Sequence, residues 1–190
     1  KKNLAEYDNC YTECAGVDDN SINDESQDFG YCLGVLHHIP DTALALKSCS
    51  AKLKKGAPFL LYLYYRFDNK PKFYKALFHI SNFFRLIICK LPFFLKLPIS
   101  QFIAIFIYFP LSRFALICEN LGINVSNFPL SWYRNEPFYI LRTDAHDKFA
   151  TRLEQRFTKA EITQMMLEAG FADLTFSERV PFWTVLGYKE

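Results

Sequence analysis

Two unbroken apolar runs, residues 29–36 and 59–65, flank a segment that carries its own helix start and stop signals. No other feature of the chain constrains the fold as tightly. Asp41 and Thr42 follow Pro40 and offer side-chain oxygens to cap a helix whose apolar positions are Leu44, Leu46 and Leu53. Lys52, Lys54 and Lys55 stand at the negative end of that helix's dipole, and Gly56 closes it. Apolar runs without polar alternation are the pattern of parallel strands covered on both faces. Strand, capped helix, glycine stop and strand make a βαβ unit, whose crossover is almost always right-handed.

Residues 151–190 show the same regularity. Thr158-Lys159-Ala160-Glu161 is a capping box. Ile162, Met165, Met166 and Ala169 recur at helical spacing before Gly170, and the two methionines read as core filling. Residues 174–176 and 182–186 read as two strands joined around Arg179-Val180-Pro181, an antiparallel pair at one edge of a mostly parallel sheet. Ahead of the first apolar run, residues 1–8 read as the end of a helix and Asp8-Asn9 as a turn. Residues 10–14 (CYTEC) read as a short strand, and 18–26 as a polar loop.

Residues 66–150 break the alternation. The stretch 83–118 is strongly hydrophobic but is cut by Lys90, Pro92, Lys96, Pro98 and Pro110. Its longest apolar run, residues 102–111, has ten residues, against roughly 20 for a membrane-spanning helix. A helical insertion packed on the domain is therefore expected, with no transmembrane helix. Residues 1–28 hold eight acids against two lysines, and 66–118 hold eight basic residues against Asp68 alone. Such a basic, aromatic middle suits a lid with solvated lysine stems, or peripheral contact with an anionic membrane through 66–118. The net charge of +2 gives no case for nucleic acid. Cys10, Cys14, Cys32, Cys49, Cys89 and Cys118 include no Cys-x-x-Cys pair, so no metal site is expected. Several lie in apolar runs, as reduced thiols do, which points to a cytoplasmic location. The opening residues do not read as a signal peptide.

The segment 28–41, DFGYCLGVLHHIPD, resembles the fourth-strand motif of class I S-adenosylmethionine-dependent methyltransferases, roughly FDxVxSxxVLHHxPD. The following ALALKSCSAKLKKGAPFLLYLYY resembles the next helix, the lysine-rich LKPGG turn and the fifth strand of that family, and 156–187 resembles its closing helix and hairpin. The resemblance implies an α/β fold, a partial Rossmann-like doubly wound sheet with an antiparallel C-terminal hairpin and a helical insertion. In family order the sheet runs 3-2-1-4-5-7-6, with cofactor at the carboxyl ends of the first strands. It divides the chain into a cofactor-binding half (1–65), an insertion (66–150) and a closing helix and hairpin (151–190).

One departure stands out. The seven glycines, at 16, 30, 34, 56, 122, 170 and 187, include no Gly-x-Gly of the kind that closes the family's first strand. Residues 1–4 resemble the helix after the second strand, so the chain is expected to lack both strands, to present an open edge and to bind cofactor poorly alone.

The resemblance assigns roles to residues. Asp18, with Asp19 beside it, falls where a loop carboxylate meets the adenine amino group; the alternative is a solvated loop acid. Cys32, Leu33 and Gly34 fall where the backbone nears the methionine part of S-adenosyl-L-methionine. His37 and His38 are the candidate catalytic bases for an O–H or N–H acceptor, with a structural role at the turn before Pro40 as the alternative. Tyr133, Arg134, Tyr139, Arg142 and Asp144 are candidates to line a substrate pocket in the insertion. The expected function is methyl transfer to a small or lipophilic acceptor. The alternative is a noncatalytic relic, or an interaction or membrane-associating protein that keeps the half-fold.

Overall fold

The structure, a computed structural model, describes residues 7–19 and 21–190. The helix end expected over residues 1–8 falls mostly outside them. In chain order the elements are β1 (Gly30–Leu33), α1 (Thr42–Lys52), β2 (Pro58–Tyr62), α2 (Lys72–Ile88), α3 (Phe93–Ile103), α4 (Phe109–Asn120), α5 (Phe138–Ala150), α6 (Lys159–Glu168), β3 (Phe171–Phe176) and β4 (Thr184–Lys189). They form two compact units. One holds Lys1–Arg66 with Gln155–Glu190, the other Phe67–Glu154.

In the first unit the sheet order is β1-β2-β4-β3. Strand β1 runs parallel to β2, with Tyr31 opposite Leu60 and Leu33 opposite Tyr62. Strand β4 is antiparallel to both β2 and β3. The α/β class read from the sequence is the one observed, with a capped crossover helix and a closing antiparallel hairpin. The caps form as expected. Asp41 Oδ1 accepts from the Leu44 amide at 2.9 Å, and Thr158 and Glu161 form the complete capping box. Phe59, Leu61 and Leu63 alternate into the core with Leu46, Ile162, Met166, Phe171 and Val185.

Two expectations differ. Residues 10–14 form no strand; they are exposed and irregular. A strand exists through its ladder partners, and among the described residues none pairs with β1's outer edge. The run 29–36 is also less enclosed than its composition suggests. It forms four strand residues, alternately half-buried and exposed, before Leu36–His38 turn into a 3₁₀ helix. An edge position exposes Tyr31 and Leu33 that a central strand would bury.

In the second unit Pro92 caps the start of α3, where the apolar stretch is interrupted, whereas Pro98 and Pro110 lie within helix. Phe93–Asn120 is helical over 28 residues, long and apolar enough by length and composition to cross a bilayer. Pro110 removes a donor and would clash with the carbonyl four residues back, in the first turn of α4. There the helix widens into a π segment at Ala104–Tyr108, which absorbs the misfit. One face is buried through Ser100, Ile103, Ala104, Tyr108, Ser112, Ala115 and Cys118, while Phe102, Ile105, Phe106 and Phe114 are exposed.

Leu61 is fully buried at the centre of the sheet, so Leu61→Ala should lower the unfolding free energy by about 2–5 kcal/mol. Loss of the α1 cap in Asp41→Ala should cost about 1 kcal/mol. Urea unfolding of both variants measures this; equal losses would remove the distinction between core and cap drawn here.

Candidate functional site

Of the residues singled out by sequence, Cys32, Leu33, Gly34, His37 and His38 lie at and beyond the carboxyl end of β1. Gly34 takes a left-handed conformation (φ +74°) and donates its amide to the Tyr62 carbonyl at 3.0 Å. That lengthens the β1–β2 pairing by one bond and turns the chain sharply, which a side chain would resist. The 3₁₀ turn follows and sets the two histidines in different surroundings.

His37 is fully buried. Its ring stacks on Tyr64 at 3.8 Å, and Nδ1 faces the Tyr64 amide at 3.4 Å. An acceptor at Nδ1 puts the proton on Nε2, which is buried without a hydrogen-bond partner. Burial first, then the positive potential of His38 and Arg156, holds its pKa down to about 3. His37 is therefore a neutral packing residue. His38 is half-buried and meets the Tyr64 ring edge-on at 5.8 Å.

The turn is held from a distant part of the chain. Gln155 donates its amide to the His37 carbonyl at 3.0 Å, and its side-chain nitrogen to the Ile39 carbonyl at 2.6 Å. Thr42 Oγ1 donates to the Leu36 carbonyl at 3.0 Å, and the Arg156 guanidinium lies 5.1 Å from the Tyr64 ring centre. Sequence reasoning missed Tyr64, Gln155 and Arg156. Gln155 and Arg156 precede the capping box in an irregular stretch, where no periodicity marks them.

A broad hollow of about 1340 Å³ lies along β1. Asp19 and Cys32 line it, with Tyr11, Tyr31, Cys49 and Lys52. Asp18, Leu33, Gly34, His37 and His38 do not. Asp19 Oδ1 accepts from the Ser21 amide at 2.9 Å, and both aspartates are exposed. Burial raises the pKa of Cys32, and raises that of Cys49 to about 11 with a contribution from Cys32, so both are protonated thiols near neutral pH.

The polar candidates of the second unit are engaged among themselves. Arg134 forks onto Glu119 at 2.7 and 2.8 Å, Tyr133 packs on Tyr108, and Arg142 lies over Tyr139. Burial raises the pKa of Asp144, against a hydrogen bond from Tyr133. None of the five lines the cavity of that unit, whose walls are apolar. Ion pairing and ring packing occupied them, which spacing alone does not reveal.

No family model and no curated protein matches the sequence. Solved structures resemble it in fold. A methyltransferase from Thermotoga maritima, described as S-adenosylmethionine-dependent and a possible histamine N-methyltransferase, superposes with a TM-score of 0.45 at 13% identity, over 93% of this chain and 62% of its own. A Methanosarcina mazei chain described as an S-adenosylmethionine-dependent methyltransferase gives 0.44 at 14%, over 92% and 65%. A Bordetella parapertussis chain described as a possible exported protein gives 0.43 at 16%, over 88% and 40%. This chain spans less than two thirds of each.

Because folded His37 takes up a proton only near pH 3 and an unfolded histidine does so near 6.5, the unfolded state binds more protons between those values. Stability from this group is complete above about pH 6.5 and falls as pH drops towards 3, by up to about 1.4 kcal/mol per pH unit. His37→Asn should flatten that slope in urea unfolding between pH 6.5 and 4. Identical slopes in the two proteins would show that His37 is not held neutral.

Proposed function

We propose that this chain serves S-adenosylmethionine-dependent methyl transfer to a small or lipophilic acceptor. The observation that carries the reading is the corner at the end of β1. There β1 of a parallel βαβ unit ends in left-handed Gly34 and the HHIPD turn, and β2 carries antiparallel β4 on its other edge, in the strand order 4-5-7-6 of the resembling family. The hollow fits the chemistry of an adenosyl group. Tyr11 and Tyr31 offer ring faces, and the Asp19 carboxylate accepts from an exocyclic amine. Asp18, the neighbour in the same loop, is the second carboxylate within that turn.

The cofactor supplies an electrophilic methyl on a sulfonium, so the protein's part is alignment and exclusion of water. Cys32, Leu33 and Gly34 hold the backbone in the turn that faces the methionine portion. His37 fills the corner and fixes the end of β2 through the Tyr64 amide. His38 is the group placed to take a proton from an attacking O–H or N–H, a role in which its neighbour, with Nδ1 facing that amide and Nε2 buried, has no part.

Calorimetric titration of the full chain with S-adenosylhomocysteine tests this directly. Saturable binding is expected, no tighter than micromolar because the sequence has no Gly-x-Gly loop, and weakened about tenfold or more in Asp19→Ala and in Gly34→Val. No heat up to millimolar ligand would sink the reading.

A further inference from the structure

The second unit contains a cavity of about 480 Å³ that the methyl-transfer reading does not use. That volume is ordinary for a small-molecule site, about 300–1,000 Å³. Its shape is the informative part. Along α2 the lining runs from Tyr74 to Ile88, about 21 Å at a rise of about 1.5 Å per residue. Facing it, Ile99, Ile103, Ile107 and Leu111 line the cavity at steps of four, one continuous ridge of the Phe93–Asn120 helix. The space is a long slot between two apolar walls.

Its polarity is concentrated at one end. Among the described residues, Lys148 is the only charged one lining the slot, and no carboxylate does. The Lys148 ammonium lies 5.8 Å from the ring centre of Phe78. The Lys70 ammonium lies 5.7 Å from that of Tyr74, and it also donates to the Ser126 carbonyl and Asn127 Oδ1. Phe67 packs against both rings, at 5.2 and 5.0 Å, so the two cations mark the same end. Between Asp68 and Glu119 the sequence has seven Lys or Arg and no acid. Asp68 precedes Lys70 by two residues and Asp144 and Asp147 share α5 with Lys148, but none of the three lines the slot. An anion is favoured at that end.

We propose that this slot binds a single-chain anionic amphiphile, its hydrocarbon chain lying along α2 and its head group between Lys70 and Lys148. A flat apolar contact would need neither the length nor the charged end. The proposal goes beyond the methyl-transfer reading, and its readout is binding, so either can fail without the other.

The full chain is titrated with cis-parinaric acid, whose fluorescence rises in an apolar site. Saturable binding of one molecule per chain is expected at micromolar concentration. Ile80 and Phe84 line the slot yet are more than half exposed, so Phe84→Glu and Ile80→Glu should fold, as a circular-dichroism melt will show. Each should weaken binding at least tenfold. Lys148→Ala should weaken the acid at least threefold and leave its methyl ester unchanged. Sedimentation with phosphatidylglycerol and phosphatidylcholine vesicles separates the sources. Enrichment on the anionic vesicles that Phe84→Glu abolishes assigns the amphiphile to a bilayer, and parinarate binding without enrichment assigns a free one. Absence of saturable parinarate binding overturns the proposal whatever the vesicles do, as does binding indifferent to both glutamate variants.

Discussion

The parallel pairing of Gly30–Leu33 on Pro58–Tyr62 is the constraint on which the first unit depends. Parallel neighbours cannot be joined by a tight turn, so the chain between them must cross over, and α1 with its Asp41 cap is that crossover. Once the register is set, Gly34 falls beside the Tyr62 carbonyl and Tyr64 beside His37. The turn that carries the histidines is thus positioned by the ladder and by Gln155, which ties it to the segment leading into α6. Strand β4 then fills the remaining edge of β2 in the opposite sense, and its Val185 closes the core against Leu61 and Met166.

The two adjacent histidines show how one residue of chain separates chemistry from architecture. A 3₁₀ turn advances a third of a circle per residue, so His37 is fully buried while His38 beside it is only half-buried. Desolvation makes His37 a poor home for a proton, and its ring contacts with Tyr64 and His38 make it a good spacer. The same side chain in the next position keeps partial access to solvent. A double-histidine motif therefore need not mean a pair of bases. One ring can be there to hold the other.

What could be read from the sequence was local. Asp41, the Thr158–Glu161 box, Gly170 and the two apolar runs declare themselves through neighbours within four residues; the caps and the glycine stop formed where expected, and the runs formed strands over Gly30–Leu33 and Pro58–Tyr62. What could not be read depended on partners far away. Residues 10–14 have strand composition, but a strand needs an edge to join, and β1's outer edge has no ladder among the described residues. Gln155 lies in irregular chain, and only its reach to Ile39, 116 residues back, reveals its role. Arg134 was set to a pocket by its charge, whereas Glu119 had already claimed it. Pro98 and Pro110 were weighed as helix breaks, but a proline breaks a helix only where the backbone cannot widen to receive it, and the π segment does so at Pro110.

The composition of Phe67–Glu154 follows from a helix with two different faces. Ser100, Ala104, Ser112 and Ala115 are small and lie on the buried side, so the neighbouring backbone can come close without a large apolar interior. Large side chains are on the other side, where Phe94, Phe102, Phe106, Phe109 and Phe114 are exposed along with Phe73 and Phe83 of α2. Soluble folds normally reverse this, keeping bulk inside and small or polar residues out, because an extended apolar face in water favours association. Scattered lysines do not cure it, since their stems lie on the same surface. An apolar neighbour would cover such a surface, and the cations along it would favour one carrying negative charge, which is the chemistry proposed above for the slot at the scale of a single chain.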